Sequence, residues 1–312
     1  MVYLQLALGF VLLVAGGEAL VRGAVAVAAR MGVSPLLVGL TLVGFGTSTP
    51  ELVTSLQAAI DGRPGIAIGN VVGSNIANIL LILGIAAVIA PIAAARMGFL
   101  RDGVAFGGAA LLCMAVVLHG TLERWLGLVL AGALVVYLVV AYLSDRGDPD
   151  AVETGETAPA RPGALWASLA LVVGGIAVTI LGARLAVDAA VELALLWGMS
   201  ETVVGLTIVA VGTSLPELVT SVLAALRREQ AIAFGNVVGS NIYNILGILG
   251  VTALVLPVEV PPQIARLDIW VMMAATLALV LLVAVRQRIG RLAGAAFLTG
   301  YAGYTGWLVA MA

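Results

Sequence analysis

Apolar residues run along this chain in long blocks separated by short polar stretches. The blocks fall at about 3–28, 35–60, 66–91, 104–119, 122–143, 164–190, 200–226, 232–256, 268–286 and 292–311. A bilayer core about 30 Å thick is crossed by about 20 apolar residues of helix. The pattern therefore predicts an all-α polytopic membrane protein with ten transmembrane helices, although 104–119 is short for a span. Between the fifth and sixth blocks lies 144–162, rich in Asp, Glu, Pro, Gly and Thr, which reads as a linker. The expected division is a five-helix half over 1–143, an acidic linker over 144–162 and a second five-helix half over 163–312. The opening Met-Val-Tyr-Leu has no basic region and no clear small-residue cleavage site, so the first block reads as a span and not as a removed signal.

Composition narrows the class. The chain is 62% hydrophobic and 10% charged, with mean hydropathy +1.16. Soluble domains carry about 25% charged residues, so a soluble enzyme, a nucleic-acid binder and a disordered chain are excluded. All 15 basic residues are Arg, against 17 acidic residues, for a net charge of −2. Loops after the odd-numbered blocks hold Arg22, Arg30, Arg96, Arg101, Arg146, Arg161, Arg227, Arg228, Arg286, Arg288 and Arg291; the other loops hold only Arg63, Arg124, Arg184 and Arg266. By the positive-inside rule the linker is expected in the cytoplasm and both termini outside, in a multi-pass protein of the cell membrane. One cysteine, Cys113, excludes an intramolecular disulfide and a cysteine-based metal cluster.

The chain also repeats itself. Residues 39–91 align with 205–257 at a constant offset of 166 without gaps, with 33 of 53 positions identical. One copy reads GFGTSTPELVTS and then GNVVGSNIANIL; the other reads AVGTSLPELVTS and then GNVVGSNIYNIL. A shared membrane composition does not reproduce such blocks in register. Five spans per half is an odd number, so the second copy is expected to enter the membrane in the opposite direction. Inverted repeats of this kind build many secondary transporters, whose sites lie at the repeat interface on interrupted helices.

Pro50 and Pro216 fall in the middle of their blocks. Each removes an N–H and clashes with the carbonyl four residues back, which frees backbone oxygen near Gly46 and Gly212 for a cation. Glu51 and Glu217 follow the prolines, and a carboxylate in the bilayer centre is a functional candidate by default. The competing reading is local: Ser48-x-x-Glu51 and Ser214-x-x-Glu217 fit the capping-box pattern of a helix start. Facing them, Asn70, Ser74 and Asn78 form a polar stripe at i, i+4 and i+8, repeated by Asn236, Ser240 and Asn244. The amides are candidates for ion ligands or for interhelical hydrogen bonds. Gly69-x-x-x-Gly73 and Gly235-x-x-x-Gly239 permit close helix approach. Carboxylates, hydroxyls and amide oxygens without His or Cys suit a hard cation such as Ca2+. One Ca2+ cancels two carboxylates, whereas the empty pair is costly in low dielectric. Obligatory exchange follows from that penalty.

The two blocks resemble the α-repeats of the sodium/calcium exchangers, within the calcium/cation antiporter superfamily; the short linker resembles the prokaryotic members. The resemblance implies antiport of Ca2+ against several Na+, by alternating access in which spans 1 and 6 slide against the rest. It implies no cofactor and no enzymatic activity, and a protein that functions as a monomer. By matched position, Glu51 and Glu217 correspond to acidic ligands shared by the ions. Thr47 and Thr213 correspond to carbonyl donors to Ca2+, and Gly44 and Ala210 to further carbonyl donors. Ser48, Ser214, Ser74 and Ser240 correspond to Na+-coordinating hydroxyls, and Asn78 to an amide ligand. Asn244 departs from relatives with Asp at that position, which leaves stoichiometry and K+ dependence open. A proton/calcium antiporter of the same superfamily is the nearest alternative, although its acidic motif typically reads Asn-Ala-Thr-Glu. A cation channel and an intramembrane enzyme are disfavoured, since the chain has no filter loop and its single histidine, His119, lies outside the repeat. The acids Asp145, Asp148, Asp150, Glu153 and Glu156 read as a solvated linker.

Overall fold

The structure is a computed structural model and describes residues 1–93, 99–145, 164–198 and 210–311. Most of the expected linker and the first part of the expected span 200–226 lie outside the described residues, as do Arg96, Arg146 and Arg161. The chain is mostly helical. In order it forms α1 (Val2–Met31), α2 (Pro35–Thr47), α3 (Thr49–Ile60), α4 (Pro64–Ile89), α5 (Phe99–His119), α6 (Arg124–Asp145), α7 (Ala164–Leu196), α8 (Ala210–Gly212), α9 (Leu215–Leu226), α10 (Gln230–Val255), α11 (Ile264–Arg286) and α12 (Arg291–Met311). Two short strands, β1 (Thr121–Leu122) and β2 (Val258–Glu259), pair antiparallel.

Seven of the described helices are long and apolar enough to cross a membrane, and the bent pair α2–α3 makes eight. The apolar helix α9 has only 12 residues. Helix α12 has 21 residues, but glycine, threonine and tyrosine dilute its apolar character. Two helices start earlier than the sequence pattern predicts, and the reason is the same in both. Arg101 and Asp102 sit inside α5 because they pair with each other at 2.8 Å, and Tyr137 donates to Asp102 from α6. Asp268 sits inside α11 because the Tyr304 hydroxyl donates to it at 2.9 Å from α12. Charged residues that mark span ends in the sequence pattern are thus kept inside helices by partners on neighbouring ones. Asp145, expected among solvated linker acids, is buried at the end of α6. Its carboxylate accepts from the Ser34 N–H at 2.7 Å and the Ser34 hydroxyl at 2.5 Å. The Ser34 hydroxyl oxygen in turn accepts from the Leu37 N–H, capping α2.

Helices α1 and α7 pack against each other through glycines. A methyl group on Gly9 would lie 2.6 Å from the Ala186 nitrogen, one on Gly16 2.5 Å from the Thr179 nitrogen, and one on Gly23 2.9 Å from the Val172 nitrogen. The partner number falls as the glycine number rises, so the two helices run antiparallel. Gly175 and Gly182 make the return contacts with Leu20 and Leu13. Small residues let the backbones approach closely where the hydrophobic effect offers no drive. Glu18 of α1 also forms ion pairs with Arg22 and with Arg227, which follows α9.

Helix α2 packs along α10 in the same way. A methyl group on Gly235 would lie 2.7 Å from the Leu36 carbonyl oxygen and 3.0 Å from the Gly39 Cα, and Gly239 lies against Leu40. The Gly235-x-x-x-Gly239 pair therefore does what its spacing predicts. The repeat-equivalent facing segment for Gly69 and Gly73 falls in 199–209, outside the described residues. Among the described residues four π-helical turns, Gly39–Val43, Asn78–Ile82, Tyr243–Leu249 and Ile264–Asp268, interrupt the α-helical ladder. The turn at 78–82 packs against α9, and the turn at 243–249 packs against α3.

Candidate functional site

The break between α2 and α3 centres on Ser48, with φ −82° and ψ 10°, and the two helices are bent by 44°. Ser214 has nearly the same backbone, φ −91° and ψ 10°, before α9. In both places Pro lies in the first turn of the new helix. There its missing N–H removes no intrahelical bond, so each proline starts a half-helix and does not kink a continuous one. Glu51 and Glu217 fall in those first turns, completely buried. A helix N-terminus favours a carboxylate by about 0.3–1 kcal/mol, which offsets only part of the burial cost.

The serines do not cap these helices: neither Ser48 nor Ser214 makes a side-chain cap hydrogen bond. Each reaches across the repeat instead. The Ser48 hydroxyl donates to Glu217 Oε1 at 2.8 Å, and the Ser214 hydroxyl donates to Glu51 Oε1 at 3.2 Å. This reciprocal exchange overturns the purely local capping-box reading. It also brings Ser48, Glu51, Ser214 and Glu217 into one buried cluster. The second oxygen of each carboxylate, Glu51 Oε2 and Glu217 Oε2, is buried without a hydrogen-bond partner. Among the described residues, neither glutamate is in an ion pair.

Other expected site residues join this cluster from α2 and α10. The Thr47 hydroxyl donates to Asn236 Oδ1 at 3.1 Å and lies 3.3 Å from the Gly44 carbonyl oxygen. The Ser240 hydroxyl donates to the same Gly44 oxygen at 3.1 Å, and the Ser48 N–H does so at 3.2 Å. In this structure the Gly44 carbonyl is thus engaged within the protein. Asn78 and Asn244 are buried, and both side-chain polar atoms of each have no partner. Ser74 is buried and Thr213 half-buried; Ala210 opens α8.

Asn70 and Asn236 resolve in favour of interhelical bonding. Asn70 Nδ2 donates to the Glu51 carbonyl oxygen at 3.1 Å and to Ser55 Oγ at 2.9 Å. Asn236 Nδ2 donates to the Glu217 carbonyl oxygen at 3.2 Å and to Ser221 Oγ at 2.9 Å. Each asparagine therefore holds the backbone of a glutamate from the neighbouring helix. Ser55 and Ser221 had no assigned part in the sequence reading. The signal was present, because Thr-Ser closes the PELVTS block in both copies.

Residues 1–143 and 167–310 match the family described as sodium/calcium exchanger protein. The chain belongs to the sodium/calcium exchanger family. Among its relatives, CaxA of Alkalimonas amylolytica is 39% identical over 305 residues, covering 95% of each chain. Sodium/calcium exchanger MaX1 of Methanosarcina acetivorans is 34% identical over 338 residues, covering 97% of each. A structure of the sodium-calcium exchanger NCX_Mj soaked with Na+ and Ca2+ matches with TM-score 0.83 and 34% identity, covering 96% of both chains. The family is one of membrane transporters. The match extends over both halves and therefore over both copies of the buried cluster.

Proposed function

We propose that this exchanger is a secondary-active antiporter that moves Ca2+ against Na+ by alternating access and extrudes Ca2+ from the cell. The reciprocal bonds Ser48–Glu217 and Ser214–Glu51 carry the reading. Two buried carboxylates, each held by the other repeat and each with an unpartnered oxygen, are an acceptor set for a cation. Leaving that set unneutralised in low dielectric is costly, which ties any change of access to loading. Relatives named as sodium/calcium exchangers support Na+ and Ca2+ as the cargo.

In this reading the chain has ten spans in two inverted halves, 1–143 and 163–312, joined by a cytoplasmic linker, with both termini outside. It works as a monomer in the cell membrane. Glu51 and Glu217 are shared ligands; Ser48, Ser214, Ser74 and Ser240 supply hydroxyls; Asn78 and Asn244 supply amide oxygens. Gly44, Thr47, Ala210 and Thr213 supply carbonyl oxygens in states of the cycle that expose them. The antiparallel pair α1–α7, joined along its glycines, is the body that slides.

The test is uptake of radiolabelled Ca2+ into liposomes holding the purified protein, with an outward Na+ gradient and an outward H+ gradient compared. The Na+ gradient is expected to drive uptake. Uptake with the H+ gradient alone assigns the chain to proton/calcium antiport. Glu51→Gln and Glu217→Gln are each expected to lower exchange at least a hundredfold while the protein still inserts. Undiminished transport by either variant removes the two-carboxylate site.

A further inference from the structure

We propose that the cavity between α1 and the turn joining α9 to α10 binds the headgroup of phosphatidylethanolamine, a phosphate joined to a primary ammonium. The phosphate meets Arg22 and Arg227, and the ammonium meets Glu229. The cavity measures about 240 Å3 and is half-open. Val21, Val25 and Ala29, at i, i+4 and i+8 of α1, form its apolar wall, and Arg22, Arg227 and Glu229 supply its polar groups. The site lies outside the buried carboxylate cluster and is independent of the antiport reading.

The side chains select this headgroup over others. Among the described residues, Glu18 is the one ion-pair partner of Arg22 and of Arg227. A single carboxylate thus serves two guanidiniums, each a planar fork of N–H donors suited to phosphate. Glu229 is half-buried, and among the described residues its carboxylate has neither a hydrogen bond nor an ion pair. Burial raises the Glu229 carboxyl above its usual range, and Arg227 partly opposes this. A cation beside the carboxylate favours its charged form. Arg228 is exposed and does not line the cavity. Arg22 and Arg227 against Glu18 and Glu229 sum to zero charge, which matches a zwitterion better than a net anion. A primary ammonium has N–H donors for the Glu229 carboxylate, whereas the quaternary ammonium of phosphatidylcholine has none. Phosphatidylglycerol offers the phosphate without the cation. The apolar wall favours an amphipathic ligand over a free phosphate, because apolar surface is stabilised by leaving water. A headgroup held in this way bridges α1 and the turn after α9, beside the Glu18–Arg227 contact.

The experiment uses the purified, delipidated full chain in nonionic detergent. Phosphatidylethanolamine, phosphatidylcholine and phosphatidylglycerol with identical acyl chains are added back separately. Retained lipid is read by native mass spectrometry, and the unfolding temperature is followed in parallel. Phosphatidylethanolamine is expected to be retained about tenfold better than either of the others, the worth of one charged hydrogen bond, and to raise the unfolding temperature. Equal retention of either other lipid overturns the proposal. Glu229→Gln is expected to abolish the preference for phosphatidylethanolamine without changing the unfolding temperature of the lipid-free protein. A preference that survives this substitution overturns the role given to the carboxylate. Should Glu229→Gln fail to fold, Arg22→Gln decides, since it is expected to weaken retention of phosphatidylethanolamine about tenfold; undiminished retention overturns the site. Glycerophosphoethanolamine, the same headgroup without acyl chains, is the soluble competitor. Displacement of the lipid by an equal concentration of it makes the ligand a soluble zwitterion and overturns the lipid assignment. Every arm reads binding and not transport, so failure here leaves Na+-driven antiport untouched.

Discussion

Ser48 and Ser214 show how a tertiary acceptor outcompetes a local one. Each stands at a helix start with glutamate three residues on, the spacing of a capping box. Each hydroxyl nonetheless donates to the glutamate of the other repeat. A buried carboxylate is the stronger acceptor, and a hydrogen bond to a charged group contributes about 1.5–3 kcal/mol. Ser48→Ala and Ser214→Ala are expected to cost about that much, read as a drop in thermal unfolding temperature in detergent. Ser48→Thr keeps the hydroxyl and should recover most of the loss. Asn236 makes one more contact than Asn70, since it also accepts from Thr47. A double-mutant cycle of Thr47→Val with Asn236→Ala should therefore show coupling of about 0.5–1.5 kcal/mol. The residue types of this cluster were legible in the sequence. Which serine meets which glutamate was not, because that pairing depends on how two segments 166 residues apart come together.

At the level of elements, hydropathy marked most helices because a bilayer demands long apolar runs. The proline in the middle of its apolar block marked the break at Ser48, where it falls in the first turn of α3. Hydropathy misplaced the starts of α5 and α11, where ionised or polar groups are satisfied by neighbouring helices. The π-helical turns had no sequence signal, since a single widened turn has no distinctive residue preference. The glycine contacts between α1 and α7 did have one. Gly9, Gly16 and Gly23 recur every seven residues, as do Gly175 and Gly182 at the repeat-equivalent positions of the first two. Gly16→Val and Gly182→Val are expected to force these helices apart. Overpacking of this kind costs about 1–3 kcal/mol, so the variants should unfold at lower temperature and exchange more slowly. Gly132→Val is the control, since no atom lies within 4 Å of a methyl group placed there.

For the whole molecule, the two repeats are alike in sequence but not in their surroundings. Gly17 of α1 lies against Val219 and Leu223 of α9, whereas Val53 and Gln57, the equivalents of those two residues on α3, are exposed. The α1–α7 pair thus leans on one half-helix and leaves the corresponding face of the other uncovered. Glu18 reinforces this arrangement through Arg227. Glu18→Arg is expected to slow exchange severalfold, and Glu18→Arg with Arg227→Glu to restore most of the rate. The same offset of 166 carries Glu18 to Arg184 and Arg227 to Asp61, so both partners change sign together. Inverting one charge makes an attraction a repulsion; inverting both leaves it an attraction. Arg184 and Asp61, the positions the repeat relates to Glu18 and Arg227, are exposed. The attraction that ties α1 to the end of α9 is thus written into the sequence a second time with its signs exchanged, at the positions the repeat relates to it.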